Sequence, residues 1–131
     1  EVGMSEISIR EKCGLLVYYR LAAGALSGIY MNGRMPNTAR MSLFKGWERM
    51  INPLAMKAYK KYDELAKENN ITMVQLAQAF VNSRPFVTSN IIGATSMDQL
   101  KENIGSINVE LNKDTLDKIN LIHNNNPNPA P

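Results

Sequence analysis

Cysteine and histidine are nearly missing from this chain. Its 131 residues include one cysteine, Cys13, and one histidine, His123. A lone thiol excludes an internal disulfide and suits a reducing cytoplasm. A metal site built on several histidines is excluded, as is any Ser-His-Asp triad away from His123. No apolar run approaches the roughly 18 residues that a bilayer span needs, so no membrane partner is expected. The start, Glu1-Val2-Gly3-Met4, lacks the basic front and apolar core of a signal peptide. No block of Lys and Arg exceeds two residues, and a net charge of +3 is too mild to argue for nucleic acid. What remains, 44% hydrophobic and 21% charged residues, describes a globular chain of single-domain length.

The hydrophobic pattern divides the chain. Met4 to Lys12 has helical spacing at Met4 and Ile7 and reads as a helix cut off at its front. Leu15 to Tyr19 reads as a buried strand, apolar on both faces as parallel strands are. From Arg20 to Ile51 runs a long, polar, Gly-containing segment, a length usually reserved for function or disorder. Asn52-Pro53 supplies an N-cap and a proline at the first helical position, and Leu54, Ala58, Tyr62 and Leu65 form one apolar stripe behind it. Thr72 with Gln75 is a capping box for a helix over Met73 to Asn82, apolar almost all round and so expected to be deeply buried. Asn112 caps a last amphipathic helix with Leu116, Ile119 and Ile122 inward. Residues 124–131 form an Asn/Pro-rich tail, expected to be extended.

Val87 to Ile92 reads as the second strand. Gly93 follows, where the backbone can turn and approach a neighbour closely. Ser96 and Gln99 then make a second box, which starts a helix at Met97. The free N–H groups and partial positive charge of a helix N-terminus suit an anion, and Thr95 and Ser96 add hydroxyls. An ordinary capped strand-to-helix connection would use the same residues. Strand, long helical crossover, strand and helix make a right-handed βα pattern. Two strands close no sheet, so the residues describe part of an α/β domain.

Gly93-Ala94-Thr95, followed by Gln99-Leu100 and Glu102-Asn103, resembles the G-[AS]-[ST]-x-x-x-Q-L-x-E-N segment of NADP-dependent aldo-keto reductases, most of all the bacterial branch near the voltage-gated potassium channel beta subunits. The likeness continues in register over nearly the whole chain. It implies an α/β fold, the C-terminal part of a (β/α)8 TIM-type barrel, with Leu15–Tyr19 as its seventh strand and Val87–Ile92 as its eighth. Residues 1–131 would then be one portion of a single barrel domain whose site lies at the strand C-terminal ends.

The resemblance also assigns roles. Gly93, Thr95, Gln99, Glu102 and Asn103 would hold the adenosine 2′-phosphate and adenine of NADP(H). Tyr18 would stack on the nicotinamide. Leu21, Ala23, Gly24 and Leu26 would wrap the pyrophosphate through backbone N–H groups, and Arg40 would close over it. Two departures stand out. Tyr19-Arg20 replaces the Ser-Pro that usually follows the aromatic residue, and Ile29 replaces a lysine. Loss of that cation should weaken the pyrophosphate grip by about 1 kcal/mol. Arg20 could reach a phosphate or lie solvated.

In the family a tyrosine, with lysine, aspartate and histidine, reduces carbonyls from the first half of the barrel. No residue here matches that tetrad. The chain is thus expected to supply NADP binding to a cytoplasmic oxidoreductase that acts on a small carbonyl substrate, but to be inactive alone. It would be completed by a missing N-terminal barrel portion or by a second copy. A non-catalytic nucleotide-sensing or scaffolding fragment is the alternative.

Overall fold

A computed structural model describes residues 3–130. Glu1, Val2 and Pro131, the last residue of the expected tail, lie outside the described residues. The elements follow the order α1 (Met4–Arg10), β1 (Leu15–Val17), α2 (Arg40–Leu43), α3 (Pro53–Glu68), α4 (Met73–Asn82), β2 (Val87–Asn90), α5 (Met97–Gly105) and α6 (Lys113–Asn125), with short 3-10 turns between them.

The helices begin where capping chemistry tells them to. Asn52 Oδ1 accepts from the N–H groups of Leu54 and Ala55 at 2.9 and 3.0 Å, with Pro53 at the first position. Thr72 and Gln75 close a full box, Thr72 Oγ1 accepting from Gln75 N–H at 3.1 Å and Gln75 Oε1 from Thr72 N–H at 2.9 Å. Asn112 Oδ1 accepts from Thr115 N–H at 2.8 Å. Each such cap satisfies donors that the first helical turn would otherwise leave orphaned.

Two apolar clusters form the interior. One gathers Ala23, Ala25, Tyr30, Ala39, Met50, Ala55 and Tyr59. The other gathers Leu65, Ala66, Met73, Leu76, Ile119 and Ile122, where α3, α4 and α6 meet. Leu26 and Tyr62 pack against both and join them. The 20–51 segment is therefore ordered, with Tyr30 at its centre. The expected stripe on α3 holds at Ala58, Tyr62 and Leu65 and is widened by the buried Ala55, Tyr59 and Ala66, whereas Leu54 is 64% exposed. Small alanines let the 20–51 segment approach the helix closely, and Leu54 falls on the far side. As expected, α4 is deeply buried, though Gln78 shares that burial with Met73, Val74, Leu76 and Ala79.

β1 and β2 pair in parallel, Leu15 opposite Val87, Leu16 opposite Ser89 and Val17 opposite Asn90. Thr88 is the extra residue of a bulge, and its hydroxyl accepts from Leu15 N–H at 3.2 Å. A Cβ on Gly14 would lie 3.0 Å from that hydroxyl, so glycine permits the approach. The strands are shorter than expected, and they are not buried on both faces. Leu16 is 57% and Tyr18 75% exposed, and Ile91 and Ile92 lie outside β2 and are exposed. The reason is cover: helices line one side of the sheet, and the other side is open. The apolar residues Met4, Ile7 and Ile9 of α1 are exposed as well. The tail is not simply extended. Pro129 O accepts from Asn52 Nδ2 at 2.8 Å, and Ala130 packs on the Tyr30 cluster.

Candidate functional site

Both strands deliver their C-terminal ends to one edge of the molecule. Ile91 N–H donates to Val17 O at 2.8 Å, and an Arg20 Nη1 donates to Ile91 O, so the segments after β1 and β2 are tied together.

After β1 the chain turns sharply. Tyr19, Ala22 and Ala23 adopt φ of 68°, 48° and 57°, and Gly24 adopts 92°. Three consecutive left-handed residues, two of them alanines, concentrate backbone strain in this turn. Gly24 and Leu26 both donate their N–H to Leu21 O, at 2.9 and 3.1 Å. Those two amides, expected to face a pyrophosphate, are thus spent within the loop. Tyr18 projects into solvent. Tyr19 turns inward and stacks on Trp47, centroids 5.4 Å apart. Burial pushes the Tyr19 phenol up from 10.0, against the opposing pull of Arg49 and Arg40. The exposed Arg40 guanidinium sits 6.0 Å from the Trp47 ring centroid, within cation–π reach. Tyr30 Oη accepts from Met41 N–H at 3.2 Å and so anchors α2, the element that carries Arg40.

After β2, residues 91–99 are exposed. Gly93 has no left-handed φ, and a Cβ there would meet nothing within 4 Å, so the turn itself does not require glycine. The helix begins at Met97 as the Ser96 cap predicts, Ser96 Oγ accepting from Gln99 N–H at 3.3 Å. The reciprocal half of the box is displaced. Gln99 Oε1 accepts from Thr95 N–H at 2.8 Å and from Thr95 Oγ1 at 3.1 Å, one residue further back than Ser96. The Ser96 N–H therefore stays out of the box, beside the first-turn amides of α5. Glu102 is half-buried, and its Oε1 accepts from Thr72 Oγ1 at 2.7 Å.

Asn103 differs most from expectation. A residue that contacts adenine should be open to a ligand, but Asn103 is 5% exposed. Its Nδ2 donates to Gly93 O at 3.1 Å, and its Oδ1 accepts from Gln78 Nε2. Ser106 Oγ joins the network by donating to Asn103 O at 2.6 Å, with Gln78 Oε1 beside it at 3.2 Å. An amide between α4 and the loop after β2 is buried because it ties the two together. Arg20 is likewise no solvated arginine: it is half-buried, and desolvation lowers its pKa below the usual arginine value.

The structure therefore brings the expected residues together in two groups. Tyr18, Leu21, Ala23, Gly24, Leu26 and Arg40 belong to the loop region around the Tyr19–Trp47 stack. Gly93, Thr95, Gln99, Glu102 and Asn103 belong to the start and inner face of α5. The Trp47 stack, the Gln78–Asn103–Ser106 network and the Thr72–Glu102 bond carry no sequence motif. Only Gln78, a polar residue inside an apolar helix, gave a signal. Among the described residues no three His, Cys, Asp or Glu side chains gather as metal ligands, and no helix is long and apolar enough to cross a membrane.

Comparison with known proteins gives this arrangement a context. Residues 4–124 match the family model described as Aldo/keto reductase family. Protein tas of Escherichia coli (strain K12) is 42% identical over 131 residues, all of this chain and 38% of that protein. The protein named Probable voltage-gated potassium channel subunit beta in Arabidopsis thaliana is 34% identical over 120 residues, 87% of this chain and 36% of that protein. An Aldo-keto reductase of Babesia bovis is 35% identical over 109 residues, 79% of this chain and 38% of that protein. The chain thus spans little more than a third of the length of these relatives.

Proposed function

The chain belongs to the aldo/keto reductase family, and from that premise we propose that it supplies the NADP(H)-binding part of a cytoplasmic oxidoreductase that reduces small aldehydes or ketones. In this reading β1 and β2 are the seventh and eighth strands of a (β/α)8 barrel. The open face of the sheet, with Leu16 and Tyr18 exposed on it, then looks into the barrel. The remaining strands come from an N-terminal portion, in one chain or as a separate fragment, or from a second copy.

The observation that carries the proposal is the start of α5. Its box is displaced by one residue, so the N–H groups of Ser96, Met97 and Asp98 lie on an exposed surface with the Ser96 hydroxyl. That donor set fits a 2′-phosphate dianion. Glu102 Oε1 is taken by Thr72, and Oε2 remains to accept from an adenine amino group. Asn103 supports this surface indirectly, by holding Gly93 O, rather than by offering its amide to adenine. Arg40, steadied by Trp47 and by the Tyr30–Met41 bond, is the cation available to a pyrophosphate. Tyr18 offers an exposed ring at the end of β1. When bound, the cofactor supplies the hydride. The chain's own residues bind and orient it, and the proton donor comes from outside these 131 residues.

The test is NADPH oxidation with a panel of aldehydes. The complete gene product is expected to turn over, and the isolated 131 residues are expected to stay at the buffer rate. Turnover by pure isolated chain of confirmed mass would show that the acid lies within it.

A further inference from the structure

Glu102 is held from outside its own helix. Thr72 Oγ1, at the start of α4, donates to Glu102 Oε1 at 2.7 Å. A hydroxyl bonded to a carboxylate at this distance is one of the stronger side-chain hydrogen bonds. The capping box fixes the hydroxyl that makes it. Thr72 Oγ1 accepts from Gln75 N–H at 3.1 Å, and Thr72 N–H donates to Gln75 Oε1 at 2.9 Å. A threonine hydroxyl has one proton, and here it goes to Glu102. The next residue, Asn103, accepts from Gln78 of the same α4. One helix thus fastens two successive residues of α5.

A glutamate side chain has several rotatable bonds, and an unheld carboxylate spreads over many positions. Pinning Oε1 leaves one oxygen, Oε2, without a partner and still open to solvent. A purine edge then meets a single acceptor at a fixed place. Adenine offers an amino hydrogen to such an acceptor. Hypoxanthine carries a carbonyl oxygen in that position, and two facing acceptors form no bond and repel. Resting on the adenine contact proposed above for Glu102, we propose that Thr72 is a positioning residue that sets the selectivity for adenine. It acts through Glu102, by aiming Oε2 at the amino group, and not on the cofactor itself. The 2′-phosphate surface at Ser96 has its own cap, so the two selectivities are separable.

Fluorescence titration of the complete gene product with NADPH and its hypoxanthine analogue tests this. The two ligands carry the same phosphates, so their affinity ratio reports the base alone. The unchanged protein is expected to bind NADPH at least about tenfold more tightly. Thr72→Asp keeps an N-cap acceptor but has no proton to donate, and it sets a like charge beside Glu102. It should cut the base ratio by about threefold or more, while the NADPH-to-NADH ratio stays unchanged. Thr72→Val loses both hydroxyl bonds and should cut the base ratio as well, which decides the matter if Thr72→Asp does not fold. Thr72→Ser restores the hydroxyl and should keep the full ratio. Equal binding of the two bases by the unchanged protein would remove the adenine contact and the proposal with it. A base preference that survives in either Thr72→Asp or Thr72→Val, or that Thr72→Ser loses, would overturn the proposal alone.

Discussion

Two helices of this chain start with the same sequence device and end up with different chemistry. At α4, Thr72-x-x-Gln75 closes on itself, and the Thr72 hydroxyl also donates to Glu102. At α5, Ser96-x-x-Gln99 closes only halfway, because Gln99 reaches back to Thr95. The first start returns its glutamine to its own cap residue, is tied to Glu102, and has Met73 and Val74 buried behind it. The second is exposed and leaves amides unspent. A capping box marks where a helix begins, but whether its N-terminus can receive an anion depends on which residue the glutamine reaches and on what covers the turn.

The largest expected effect tests whether the inner side of α5 is structural. Asn103→Ala would leave Gln78 Nε2 unmatched inside the protein and release the Gly93 carbonyl, and should cost about 1–3 kcal/mol in chemical unfolding. A loss below about 0.5 kcal/mol would return Asn103 to the role of an exposed ligand contact. Next, Thr72→Ala removes both a cap and the bond to Glu102, and should cost about 1–2 kcal/mol while leaving the NADPH-to-NADH affinity ratio unchanged. Ser96→Ala is the mirror image. Its cap bond is longer, at 3.3 Å, so stability should fall by only about 0.5 kcal/mol, whereas the NADPH-to-NADH ratio should drop severalfold in fluorescence titration. Finally, Leu54→Ala should change stability by less than about 0.5 kcal/mol, since that side chain is mostly exposed.

These unfolding measurements need a pH below 10. Burial raises the Tyr59 phenol from 10.0 to about 12. The unfolded chain therefore releases this proton first. Stability should hold up to about pH 10 and fall towards pH 12, and Tyr59→Phe should remove part of that fall. Raised phenols at Tyr19 and Tyr62 leave the remainder.

Element positions were legible because caps and periodicity are local. Asn52, Thr72, Ser96 and Asn112 each mark a helix start that the structure confirms. Burial was less legible because it depends on what lies opposite. The strand residues look like core, yet Leu16 and Tyr18 are exposed where nothing covers the sheet, and Asn103 looks like surface yet closes a network with Gln78. The family motif located the α5 surface. It could not show that Gln99 is engaged by Thr95, or that Arg20 is drawn inside, since both follow from side-chain partners distant in sequence or displaced by a single residue.

Hydrogen exchange measured by mass spectrometry on the complete gene product tests the contrast between the two helix starts most directly. The ligands are adenosine 2′,5′-bisphosphate and adenosine 5′-monophosphate, which differ only in the 2′-phosphate. The 2′-phosphate should add protection to peptides covering Ala94 to Leu100 and none to those covering Ile71 to Leu76. Equal protection by the two nucleotides at Ala94 to Leu100, or added protection at the start of α4 instead, would contradict the assignment.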